Sequence, residues 1–248
     1  MITSKTNQQL KNIKKLLSSS GERKKSGLFV IEGVRIVREA PENLVEAVFV
    51  SEEYQGQVPS SAACQVVERK IFRELSDTVT PQGILAVIRR PDWKLRADEY
   101  LQEENPSGRV LLLDGIRDPG NLGTMVRTAE AAGVRIIFMS PDCVDLYNPK
   151  VIRSTMGSIF RVPAVVSDLE SVIGRMKKQG TCVYGTSLSA ERSFRDADLS
   201  DAGIVIGSEA SGVSEKVLSA ASELIRIPME GKVESLNAAV SAAILMFC

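Results

Sequence analysis

Residues 109–134 read RVLLLDGIRDPGNLGTMVRTAEAAGV. The run Val110-Leu111-Leu112-Leu113 is continuously apolar, as in a strand buried on both faces of a parallel sheet. It ends at Asp114. A loop with Gly115, Pro119 and Gly120 follows, and a helix is expected from about Asn121, a suitable N-cap. Leu122, Met125, Val126 and Ala129 then recur at helical spacing as one apolar stripe, with Asn121 and Arg127 outside it and Gly133 as a stop signal. The loop therefore lies at the carboxyl end of a strand, where open α/β sheets take ligands. Taken alone, the pattern is a weak signal, because a capping Asn and an exposed helix Arg are structural in most proteins.

Further apolar runs at Ile136-Ile137-Phe138-Met139, Cys182-Val183-Tyr184, Ile204-Val205-Ile206 and Leu224-Ile225-Arg226-Ile227 alternate with helical patterns. This is the signature of an α/β domain on a parallel sheet. Two of these runs also lead into polar loops: Gly207-Ser208-Glu209-Ala210-Ser211-Gly212, and Ile227 through Asn237 ahead of an Ala-rich last helix. With Asp118 to Arg127, three polar loops are expected along one sheet edge.

Upstream, Gln8 to Leu17 has helical spacing, Leu28 to Ile31, Val45 to Val50 and Ile84 to Ile88 read as strands, and Ile71 to Leu75 as a short helix. Ser18 to Gly27 reads as a loop. The expected organisation is a small α/β domain over 1–90, a polar linker over 91–108 and a second domain over 109–248. Charge balances at 31 basic and 31 acidic residues, yet residues 1–40 hold nine Lys or Arg against three Glu. Such an asymmetry suits a polyanion-facing region, and also a solvated basic helix face.

The chain has no histidine, which excludes Ser-His-Asp and Cys-His nucleophile systems and His-ligated metals. Its four cysteines, Cys64, Cys143, Cys182 and Cys248, form no Cys-x-x-Cys pair, so neither a zinc site nor a disulfide framework is expected. No apolar run at the start has signal-peptide or membrane-span length, and the expected location is cytoplasmic, with no membrane partner. Gly-x-Gly-x-x-Gly and phosphate-loop signatures are absent, which disfavours dinucleotide and nucleoside-triphosphate sites.

Asn121 to Ala129, Gly207-Ser208-Glu209 with Gly212, and Ile227-Pro228-Met229 with Ser235-Leu236-Asn237 together resemble the three motifs of the SpoU (TrmH-type) RNA ribose methyltransferases, in order and in spacing. The stretch Arg23 to Gly33 resembles that family's N-terminal substrate-binding domain. The resemblance implies a SPOUT fold, a parallel sheet with a C-terminal deep trefoil knot, preceded by a small α/β RNA-binding domain. It implies S-adenosylmethionine as cofactor with no metal, RNA as substrate, ribosomal RNA ahead of transfer RNA, and a homodimer. Two matched positions depart from the pattern: Ala210 stands where glycine is frequent, and Ala238-Ala239 replaces a Val-Ser pair.

By this resemblance Arg127 is the principal catalytic residue, with Asn121, Glu209, Ser235 and Asn237 around it. Gly207, Ile227, Leu236, Met229 and Thr186 would hold the cofactor. Lys5, Arg23, Lys24, Lys25 and Arg153 would meet RNA phosphates, Arg153 because Asn148 to Ser154 with Gly157 also resembles a family segment. A guanidinium holds its proton too firmly to serve as a base, so Arg127 is read as a phosphate clamp and electrostatic activator. The rival readings are a non-catalytic RNA-binding assembly factor and a base-methylating enzyme of the same fold.

Overall fold

The computed structural model describes residues 1–59 and 63–248. The chain begins with α1 (Gln8–Ser18), α2 (Ser20–Ser26), β1 (Leu28–Glu32), α3 (Val34–Glu39), β2 (Val45–Ser51), β3 (Cys64–Val67), α4 (Arg69–Leu75) and β4 (Ile84–Arg89). It continues through α5 (Lys94–Tyr100), β5 (Val110–Asp114), α6 (Pro119–Ala131), β6 (Ile136–Met139), α7 (Pro149–Thr155), β7 (Ala164–Val166) and α8 (Leu169–Lys178). The last elements are β8 (Val183–Thr186), β9 (Gly203–Gly207), α9 (Glu215–Ala220), β10 (Glu223–Ile225) and α10 (Ala238–Met246). Two compact units result. One comprises Met1–Pro91 with Tyr147–Phe160, the other Asp92–Leu146 with Arg161–Cys248.

The first unit is a four-stranded sheet of order β1-β4-β2-β3, in which only β2 and β3 run parallel. Leu10, Ile13 and Leu16 of α1 join Phe49, Val67, Phe72 and Leu85 in its core. The segment containing α7 packs against β1, where Phe29 meets the rings of Tyr147 at 4.8 Å and Phe160 at 6.2 Å. The Arg90 guanidinium stacks 4.4 Å over Tyr147. A chain segment that follows β6 in sequence thus completes the core of the N-terminal fold. Periodicity carries no sign of this, because a long-range visit leaves no local pattern.

One expectation in this unit changes, and one strand is added. Ser18 to Gly27 is mostly helix: Ser19 accepts from Glu22 N at 3.2 Å, and Gly27 closes α2 at φ +69°. Ser19-Ser20-Gly21-Glu22 has the Ser-x-x-Glu spacing of a capping box, which is the readable signal. Strand β3 is not legible in the sequence, because four residues at a largely exposed edge carry too little pattern.

The second unit is a six-stranded, wholly parallel sheet of order β10-β8-β9-β5-β6-β7. Val110, Leu111, Leu112 and Leu113 are all at 0% exposure, as their unbroken apolar run requires. The segment expected as a linker carries α5, whose Ala97 and Tyr100 enter this unit's core together with Leu101. Helix α6 starts two residues before the expected position. Asp118 is the N-cap, accepting from Asn121 N at 2.8 Å, and Pro119 takes the first helical position, where a missing N–H costs nothing. Leu122, Met125, Val126 and Ala129 are fully buried, as the stripe predicts.

Candidate active site

The carboxyl ends of four neighbouring strands, β10, β8, β9 and β5, lie in register: Ile225 pairs with Thr186, Gly185 with Val205, and Gly207 with Asp114. The loops leaving β5, β9 and β10 are the three polar segments read from the sequence, and they meet at Asn121. The Asn237 amide nitrogen donates to Asn121 Oδ1 at 3.0 Å, and the Asn121 amide nitrogen donates to the Glu209 carboxylate. Asn237 Oδ1 is already committed as the N-cap of α10, accepting from Ala239 N at 2.9 Å and Val240 N at 3.2 Å. Its NH2 group must therefore face Asn121, and the Asn121 NH2 group must face Glu209. One helix cap thereby sets the direction of the whole relay. The relay thus joins the three loops through two solvent-exposed hydrogen bonds.

Gly207 ends β9 in a place only glycine fits. A Cβ there would lie 2.0 Å from the Gly212 carbonyl carbon and 2.1 Å from Val213 N. That approach is made by a closed loop in which Ser208 N donates to Gly212 O at 3.1 Å and Gly212 N to Ser208 O at 2.9 Å. Gly212 takes the left-handed turn at φ +66°, while Ala210 has no positive φ, so the departure at 210 introduces no strain.

The stretch from Ile227 to Leu236 differs from its surroundings. Neither its backbone N–H groups nor its carbonyls have a hydrogen-bond partner among the described residues. Ile227, Met229 and Leu236 are half-buried there. Backbone donors and acceptors that stay unspent beside apolar side chains are open to water or to a polar-edged ligand. Thr186, at the end of β8, spends its hydroxyl on Val205 O at 2.7 Å, which leaves it a hydroxyl oxygen as acceptor.

The structure does not draw every expected residue into this cluster. Arg127 is exposed on α6 and has no hydrogen bond or ion pair among the described residues. Six residues on from Asn121, it projects about 120° around the helix from it. Ser235 is exposed, two residues before Asn237, the N-cap of α10. Asp118, which sequence reasoning places in the loop, fixes the first turn from which Asn121 projects.

In the first unit, Lys24 and Lys25 are exposed in the last turn of α2. Arg23 is a correction: it is 3% exposed, and its guanidinium donates to Leu16 O at 2.5 Å and Leu17 O at 3.2 Å, closing the end of α1. Lys5 pairs with Glu74 at 2.5 Å and Arg153 with Asp77 at 2.5 Å. Both pairs are solvent-exposed and weakened by solvent screening, so a phosphate can compete for either cation.

Residues 108–247 match the family model described as the SpoU rRNA Methylase family, and residues 7–86 match the MRM3-like substrate binding domain. The chain is 35% identical over 251 residues to the 23S rRNA (guanosine(2553)-2'-O)-methyltransferase RlmP of Bacillus subtilis, covering 99% of this chain and 97% of that one. It is 37% identical over 175 residues to the 23S rRNA (guanosine-2'-O-)-methyltransferase RlmB of Xanthomonas axonopodis pv. citri, or 68% of this chain and 70% of that one. Among solved structures, an AdoMet-bound rRNA methyltransferase from Sinorhizobium meliloti superposes with a TM-score of 0.86 at 26% identity, covering 99% of this chain and 95% of that one. Since that family model alone spans more than half of the sequence, this chain is a member of the SpoU rRNA methylase family.

Proposed function

We propose that this protein is an S-adenosylmethionine-dependent RNA methyltransferase that modifies a ribose 2′-hydroxyl, with ribosomal RNA as its substrate. The observation that carries the reading is the Asn237 to Asn121 to Glu209 relay, because it assembles residues from three separate loops at one set of strand ends. The unspent backbone from Ile227 to Leu236, with Gly207 and Thr186 beside it, fits a nucleoside cofactor carrying an amino-acid tail. The names of the relatives support both the cofactor and the 2′-O position.

The cofactor supplies a methyl group already activated on a sulfonium centre, so the chain's own task is placement and proton removal. Glu209 and Asn121 fix the polar edge against which the ribose lies. Arg127, unencumbered by any carboxylate among the described residues, clamps a substrate phosphate and stabilises the developing alkoxide by its charge. The proton leaves to a substrate phosphate or to water, since a guanidinium holds its own.

Lys24 and Lys25 take the phosphate-contact role, and Lys5 and Arg153 join on exchange of their carboxylates for phosphate. Changing both Lys24 and Lys25 to alanine is expected to weaken RNA binding and to flatten the slope of log K against log salt by about 1.4 for single-stranded RNA. Filter binding across a salt series measures this, and an unchanged slope returns both lysines to the solvated surface.

A homodimer fits α10, where Val240 and Phe247 are 47% and 62% exposed with Ile244 half-buried between them, an apolar stripe beside the face that packs on α6. Sedimentation should give twice the monomer mass, and Val240→Arg should give the monomer. The strand order, with β10 outside β8 and α10 packed on α6 and β9, agrees with a C-terminal knot. The four free cysteines agree with a reducing, cytoplasmic setting, and no helix among the described residues is long and apolar enough to cross a membrane.

Labelled methyl from S-adenosylmethionine is expected in ribosomal RNA of the host. Label confined to transfer RNA would replace the substrate, and cofactor binding with no RNA labelled would favour an assembly factor.

A further inference from the structure

The loop between β5 and α6 is held more firmly than its role as a connection requires. Gly115, at φ +65°, donates to Ser140 Oγ at 2.9 Å, and Ile116 N donates to Cys143 Sγ at 3.3 Å. Ile116 O accepts from Val144 N at 2.8 Å, the Cys143 thiol donates to Leu113 O at 3.3 Å, and the Ile116 side chain is fully buried. Two residues later the Asp118 cap and Pro119 fix the start of α6. Arg117 stands between these two anchors, its backbone set from both sides and its side chain exposed.

Arg117 also lacks what other arginines of this unit have. Arg96, Arg135, Arg161 and Arg192 pair with carboxylates, and Arg109 and Arg175 donate to backbone carbonyls. Arg117 has neither among the described residues, in common with Arg127, Arg195 and Arg226. It lies immediately before the cap that orients Asn121, at the edge where the three loops meet.

We propose that Arg117 is a preorganised second phosphate contact for the RNA strand bound at this site, held in place by the Ser140–Cys143 turn. The proposal rests on the methyltransferase reading and adds a residue to it. Along α6, about 12 Å of helix separates the first turn from Arg127. Two cations carried on backbone that far apart set the line a strand follows as well as its position, and a fixed backbone leaves only side-chain freedom to lose on binding.

The test is equilibrium binding of deproteinised host ribosomal RNA, which reads out independently of turnover, alongside S-adenosylmethionine binding. Arg117→Gln is expected to weaken RNA binding about fivefold and to flatten the salt slope by about 0.7, with thermal stability and cofactor affinity as in the wild type. Arg117→Lys should recover most of the affinity, because the charge is retained. Arg96→Gln, which removes a cation from α5, serves as the control for general charge loss and should change neither quantity. Wild-type RNA affinity and slope in Arg117→Gln would overturn the proposal, as would an equal effect of Arg96→Gln or a loss of cofactor affinity in place of RNA affinity. If the wild type binds RNA with Arg117 engaged yet methylates none, the methyltransferase reading fails while the contact stands.

Discussion

Arg127→Ala is expected to lower the methyl-transfer rate by at least about 100- to 1000-fold, the cost of removing one preorganised group from a developing anion. The same variant should melt at the wild-type temperature, because Arg127 is exposed and bonds to nothing among the described residues. Its affinity for S-adenosylmethionine should also be unchanged, since the stretch from Ile227 to Leu236 lies in another loop. Arg127→Lys should recover little, as an ammonium cannot reproduce the two-pronged grip of a guanidinium on phosphate. Single-turnover kinetics with saturating RNA separates chemistry from binding, and a wild-type rate there would remove Arg127 from the mechanism.

The second large effect belongs to Gly207→Ala. Its Cβ would fall 2.0 Å from backbone carbon and could be accommodated only by opening the 208–212 loop that carries Glu209. Overpacking against backbone of this kind costs about 3 kcal/mol, a fall of roughly 6–12 °C in Tm for a chain of this size. Cofactor affinity should fall about tenfold or more as the end of β9 is displaced, each tenfold being about 1.4 kcal/mol. The informative comparison is Gly212→Ala. That residue sits at φ +66°, and a Cβ there would meet nothing within 4 Å, so only the left-handed conformation is penalised, at about 1 kcal/mol. Calorimetry and cofactor titration on both variants distinguish a close-approach glycine from a turn glycine, and equal effects would refute the close-approach role of Gly207.

The parts of this molecule that are legible in its sequence are those governed by local pattern. The buried run Val110 to Leu113 reads directly as a central parallel strand, and the stripe Leu122, Met125, Val126 and Ala129 as the inner face of α6. The polar segments at 118–127, 207–212 and 227–237 can be assigned to strand ends, but their meeting at Asn121 depends on sheet order. Nothing in the sequence places β10 outside β8, and that placement decides which loops are neighbours. Arg23 illustrates the opposite limit. A cluster of three cations reads as one electrostatic feature, yet a helix turns its residues by about 100° each, and Arg23 points into the fold while Lys24 and Lys25 face water. The adoption of Tyr147 to Phe160 by the first unit is invisible for a similar reason, since Phe29 and Tyr147 meet across a long stretch of intervening chain.

The placement of the reaction on a ribose hydroxyl is the central claim, and one property of RNA tests it directly. A 2′-O-methylated ribose cannot attack its own phosphate, so the linkage that follows it survives alkali. Ribosomal RNA from host cells lacking this protein should be incubated with the protein and labelled S-adenosylmethionine, hydrolysed in alkali and separated by size. Ribose methylation predicts label in an alkali-resistant dinucleotide, absent with Arg127→Ala. Label recovered only in single nucleotides would mean that a base carries the methyl group, and would contradict the assignment to the 2′-hydroxyl.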